Sequence, residues 1–138
     1  MVNFFHEDIA APRIEKAKIK RWIKSIVDSF NYKIGDINFI FCSNNYILDI
    51  NIKYLSHNYF TDIITFNNNE QNKISGDIFI SIETVQSNSI EYEVTFNEEL
   101  KRVMIHGILH LLGFDDATDE EKLIMRTKET EAILQFPS

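Results

Sequence analysis

The chain has one cysteine, Cys42, two prolines and four glycines among its 138 residues. A single cysteine excludes an intramolecular disulfide framework and points to a reducing compartment. Pro12 and Pro137 lie near the two ends, so nothing between them reads as a proline-rich linker, and one domain over residues 1–138 is expected. No apolar run approaches the roughly 18 residues that a membrane-spanning helix needs. Residues 1–10 carry Glu7 and Asp8 where a signal peptide wants an apolar stretch, so a cytoplasmic protein with no membrane partner is expected. Positive charge is also scarce: 14 Lys and Arg stand against 21 Asp and Glu, a formal net charge of −7. That balance argues against broad, non-specific coating of nucleic acid and leaves a local binding site open.

Hydrophobic residues make up 44% of the chain and charged residues 25%, which excludes a disordered tail or a fibrous repeat. A chain of this length buries roughly 68–70% of its unfolded surface, enough to build a core unaided. The spacing of Ile19, Trp22, Ile23, Ile26 and Phe30 predicts a helix over Pro12 to Phe30, with Pro12 in its first turn. Its outer stripe, Arg13, Lys16, Lys20 and Lys24, is either a solvated face or a phosphate-contacting patch. Alternation predicts strands over Asp36–Cys42, Asp62–Phe66 and Gly76–Ile82, the last two joined as a hairpin across an Asn-rich loop. A short helix over Ile47–Leu55 follows the polar start Ser43-Asn44-Asn45. Thr95 with Glu98, and Thr118 with Glu121, have capping-box spacing ahead of two further helices, the second running to about Gln135. The order α, β, α, β, β, α, α predicts an α+β fold, a small mixed β-sheet layered with helices.

Chemistry concentrates in residues 106–116, His-Gly-Ile-Leu-His-Leu-Leu-Gly-Phe-Asp-Asp. Histidines at i and i+4 lie on one helical face, so His106 and His110 can aim at one point and grip a metal ion. Gly113 ends the helix, and Asp116 beyond the turn is placed to supply a third ligand. Two histidines and a carboxylate leave a fourth tetrahedral position for water, the catalytic pattern for zinc, and zinc lowers the pKa of such a water towards ~7. The alternative is a pair of hydrogen-bonded core histidines followed by ordinary turn acids. Asp115 reads as a turn residue or as support for a ligand. The spacing also overlaps the zinc-protease pattern H-E-x-x-H-x-x-G-x-x-H, but Gly107 occupies the position of the general-base Glu, which argues against a peptidase. The metal-bound hydroxide itself, Asp115, Glu83 and His57 are the candidates to take up the proton of an activated water.

These residues resemble the hallmark H-G-x-L-H-L-x-G-[YF]-D-H of the YbeY family of bacterial metal-dependent endoribonucleases, differing only at Asp116, where the family has its third histidine. Residues 50–55, Ile-Asn-Ile-Lys-Tyr-Leu, and 61–66, Thr-Asp-Ile-Ile-Thr-Phe, are similar to the family's L-N-x-x-Y-R and T-D-V-L-S-F, and Gly76-Asp77-Ile78 to its G-D-I strand. The resemblance implies a single-strand-specific endoribonuclease acting in 16S rRNA maturation and ribosome quality control, with the ribosome or its small subunit as partner and no DNA substrate. It makes His106, His110 and Asp116 the ligands of one divalent ion, zinc in the family. The harder carboxylate ligand leaves Mn or Fe open. The family's phosphate-binding Arg is Leu55 here, and His57 is the nearest stand-in. Tyr54, Tyr59 and Phe60 are candidates to stack RNA bases or to pack as core. Asp62 and Asp77, at predicted strand starts, are either turn-forming residues or candidates to orient a ligand histidine. A ribosome-assembly binding factor with a structural metal and little catalysis is the alternative reading.

Overall fold

Ile37, Phe39 and Phe41 alternate along one stretch of chain and are all buried, so one side of the strand they form is committed to a core. The computed structural model describes residues 1–58 and 61–137; Tyr59 and Phe60 lie outside the described residues. Its elements are β1 (Val2–His6), α1 (Lys16–Ser29), β2 (Lys33–Cys42), α2 (Asn44–Leu55), β3 (Ile63–Asn67), β4 (Lys73–Ser81), α3 (Ile82–Glu91), α4 (Phe96–Leu111) and α5 (Asp119–Leu134). The sheet order is β1-β2-β4-β3, with β1, β2 and β4 parallel and β3 antiparallel at one edge. This is the mixed sheet with helices expected from the sequence.

On one face of the sheet, the β2 residues and Ile74, Ile78 and Ile80 of β4 pack against Trp22, Ile23 and Ile26 of α1 and Leu100, Met104 and Ile108 of α4. On the other face, Ile47 of α2 joins Cys42 and Ile64 under Tyr46, Ile50, Phe66 and Phe79. Cys42 is fully buried, and burial first, then the charges of Asp8 and Glu7, pushes its thiol up to about 12.

Several boundaries differ from the sequence expectation. The first helix begins at Lys16, not Pro12, and its N-cap Glu15 makes no side-chain cap. Residues 7–15 must carry the chain from the end of β1 across the sheet, and extended backbone covers about twice the distance per residue of a helix. The third predicted strand runs over Lys73–Ser81, so Asp77 lies inside it; its carboxylate accepts from Asn38 on the opposite face from α4. Asp77 therefore does not orient a ligand histidine. The strand stops at Ser81 because this serine caps α3, accepting from the Thr84 N–H. Two elements have no counterpart in the sequence reading. β1 is held by non-local parallel pairing to β2, and α3 buries only Val85 and Ser89, too weak a stripe to show a period.

Candidate metal centre

The site is built on one face of α4. Thr95 accepts from the Glu98 N–H to start this helix, and His106 and His110 fall on the same stripe one turn apart. Gly107, between them, lies on the sheet: a Cβ there would meet Ile78 Cγ2 at 2.9 Å and Ile63 Cδ1 at 3.1 Å. A larger residue would force the Ile78 and Ile63 side chains, or α4 itself, to shift, so the sheet crowds the position that a protease-type glutamate would take. At the C-terminus, Gly113 adopts φ +103°, a conformation that L side chains rarely take, and its N–H donates to the His110 carbonyl. Phe114 then anchors the turn edge-on against Phe30, the C-cap of α1, with ring centroids 5.6 Å apart. The full capping box of Thr118 and Glu121 starts α5 immediately afterwards. Asp116 is thereby held between two fixed helices and pointed back at the histidines.

The three side chains converge. His106 Nε2 lies 3.1 Å from His110 Nε2 and 3.1 Å from Asp116 Oδ2, and His110 Nε2 lies 3.5 Å from Asp116 Oδ1. Ligands about 2.0–2.1 Å from a tetrahedral ion stand about 3.3–3.4 Å apart, so the donor set fits a small divalent cation in both chemistry and spacing. These are also the residues whose ligand atoms cluster as a metal site requires.

Behind the ligands stands a group that the sequence reading did not single out. Glu129 of α5 is buried, and its Oε2 lies 2.6 Å from His106 Nδ1 while Oε1 accepts from Arg102 at 2.9 Å. The carboxylate holds the His106 proton on Nδ1 and leaves the Nε2 lone pair facing Asp116 and His110. Burial alone would lower the pKa of His106; the hydrogen bond and charge of Glu129, with Asp116 and Asp62, outweigh it and hold the imidazole above the usual histidine range. A usable signal was present in the sequence: Glu129 shares the inward stripe of α5 with Met125 and Ala132, and a carboxylate on a buried stripe needs a partner. Glu129→Ala is expected to weaken metal binding by about 10–100-fold without abolishing it, measured by competition with a chelator on protein whose fold is checked by circular dichroism.

The cluster sits in a cleft of about 850 Å³ lined by residues of α4, β3 and α5, with Asn88 of α3 and Tyr92 beyond it also on its wall. Its carboxylates are Asp62, Glu99, Asp116 and Glu129, and its cations are Arg102, Lys122 and Arg126. Burial raises the carboxyl pKa of Asp62, with the charges of Glu129 and Asp116 adding and His106 opposing; burial and Asp62 raise that of Glu99. On the β3 side, Thr65 Oγ1 is buried with no hydrogen-bond partner among the described residues.

The other sequence candidates are not among the described residues that line this cleft. Asp115 is exposed and is not among the residues lining the cleft. His57, exposed just beyond the left-handed cap Ser56, is not among the described lining residues either. Glu83 accepts from the Asn44 N–H at the start of α2. Leu55 is half-exposed at the end of α2, and Tyr54 packs edge-on against Phe66 with centroids 6.0 Å apart. On α1, Lys24 pairs with Asp28 and Lys20 lies over the Phe4 ring, so two of the outer-stripe cations have partners within the fold.

The family described as Endoribonuclease YbeY matches residues 5–137. Among curated relatives, the Endoribonuclease YbeY of Parabacteroides distasonis is 46% identical over 99% of this chain and 96% of its own. That of Christiangramia forsetii is 47% identical over 98% of this chain and 94% of its own. The solution structure of a Thermotoga maritima protein superimposes with a TM-score of 0.69 at 27% identity, covering 96% of this chain and 87% of the other.

Proposed function

Because this chain belongs to the Endoribonuclease YbeY family, we propose that it cuts single-stranded RNA at the His106–His110–Asp116 centre, in 16S rRNA maturation and in quality control on the small ribosomal subunit. It is an endoribonuclease of rRNA processing, and no helix among its described residues is long and apolar enough to cross a membrane. The observation that carries the catalytic reading is the convergence of two imidazoles and one carboxylate at 3.1–3.5 Å in the floor of an open cleft.

In this reading His106, His110 and Asp116 hold one zinc ion, with Mn or Fe as the competing occupants because the carboxylate is the harder ligand. A divalent ion there supplies a Lewis acid for a phosphoryl oxygen and a more acidic water. Glu129 keeps His106 in the tautomer that presents Nε2, and Arg102 neutralises Glu129. The two histidine side chains are only 19% and 26% exposed, so the reacting phosphodiester has to enter the cleft. A single strand can bend into such a recess, whereas a duplex holds its phosphates on a stiff cylinder.

The test compares labelled single-stranded RNA, the duplex of the same sequence and single-stranded DNA, each with metal-loaded protein. Cutting confined to single-stranded RNA is the expected result. A 2′,3′-cyclic phosphate on the product would identify the ribose hydroxyl as nucleophile, and equal cutting of RNA and DNA would overturn the proposed substrate class.

A further inference from the structure

The cleft that holds the metal centre has a charge problem. Four carboxylates line it, and Arg102 is already engaged by Glu129. With Arg102 and a divalent ion counted, and the histidines neutral, the lining would still carry one net negative charge and repel a polyanion. Lys122 and Arg126 reverse that sign. They stand one turn apart on α5, four residues from each other and so on one stripe. Both are exposed and both line the cleft. Neither forms an ion pair among the described residues, although α5 also carries Asp119, Glu120, Glu121 and Glu131. Lys128, on the same helix, is paired with Glu131.

Tyr92 is the C-cap of α3, three residues before the α4 N-cap Thr95, and is 53% exposed while lining the same cleft. Along α4, Glu99 in the first turns and His106 both line the cleft, seven residues and therefore about 10 Å apart on the helix. That is the reach of one or two nucleotides. We propose that Lys122 and Arg126 bind the backbone phosphates of the RNA beside the scissile bond, while Tyr92 stacks a base of the same strand. Guanidinium and ammonium contacts to phosphate carry no base specificity, and a tyrosine face accepts every base. The track therefore confers affinity for single strands in general and leaves sequence choice to other contacts. The inference rests on the endoribonuclease reading of the cleft.

The test measures binding of a labelled single-stranded RNA by fluorescence anisotropy as a function of salt, with a gel confirming that the RNA is intact and with metal content determined on every sample. Lys122→Ala/Arg126→Ala is expected to bind at least about fivefold more weakly and to flatten the plot of log affinity against log salt by about 1.4, since each lost phosphate contact on a single strand removes about 0.7. The charge-preserving Lys122→Arg/Arg126→Lys is expected to keep the wild-type slope. Tyr92→Ala is expected to lose about fivefold or more in affinity at unchanged slope, and Tyr92→Phe to retain it. A double-alanine variant with wild-type slope, or one whose slope changes only together with loss of the bound ion, overturns the proposal, as does Tyr92→Ala with wild-type affinity. Wild-type protein that neither binds nor cuts RNA overturns the endoribonuclease reading instead.

Discussion

Asp116→Ala is expected to abolish measurable RNA cleavage, with a fall exceeding the roughly hundredfold upper range for losing a group behind a ligand, and to lose its ion in parallel. Asp116 supplies one of three converging donors, 3.1 Å from one histidine nitrogen and 3.5 Å from the other. Its removal leaves only the two imidazoles, which lie on one helix and approach from one side. The side chain is 41% exposed and sits in a turn, so its loss costs little folding stability, and the folded protein should persist for the measurement. Asp116→His, which restores the family's third histidine, is expected to recover metal binding and part of the cleavage. Metal analysis and a gel assay on the same samples decide the matter; an Asp116→Ala protein that cuts at the wild-type rate places the chemistry elsewhere.

Trp22→Ala is expected to destabilise the fold by about 3–5 kcal/mol, lowering the melting temperature by about 10–20 °C. The indole is 1% exposed, its Nε1–H donates to the Ala132 carbonyl at 2.7 Å, and its ring meets Phe136 edge-on at a centroid distance of 5.1 Å. Truncation removes a large buried surface and one of the two hydrogen bonds to the Ala132 carbonyl, which keeps only the Gln135 N–H at the end of α5. That helix carries Glu129, so loosening its C-terminal end is expected to weaken the ion site as well. Thermal denaturation followed by circular dichroism measures the effect, and a shift of less than about 5 °C would show that α1 and α5 are held together by other contacts.

Local signals in the sequence carry most of the site. His106 and His110 at helical spacing, the Gly113 stop and Asp116 beyond it are consecutive features, so the sequence order carries their geometry almost unaided. The same holds for the Thr118 capping box and for the alternating strand that holds Ile37, Phe39 and Phe41. What escaped depends on contacts distant in sequence. Glu129 meets His106 across 23 residues, and β1 finds β2 across 35 or so, with no local pattern to announce either. Asp77 belongs with these: pairing with β2 extends β4 back to Lys73, and alternation with the buried Ile78 turns Asp77 to the sheet face away from α4, where it meets Asn38. Lys122 and Arg126 look like ordinary surface charges until α5 is packed against α4, which turns their stripe into a wall of the cleft.

The most direct measurement titrates metal-free protein with zinc, and separately with manganese, while following the bound ion per chain and the cutting of a labelled single-stranded RNA on the same samples. The expected result is no cutting without metal and activity that rises in proportion to occupancy, saturating at one ion per chain. Full cutting by the metal-free protein, or one ion per chain held at His106, His110 and Asp116 with no cutting of any RNA, free or within ribosomes, would contradict a catalytic metal centre at these residues.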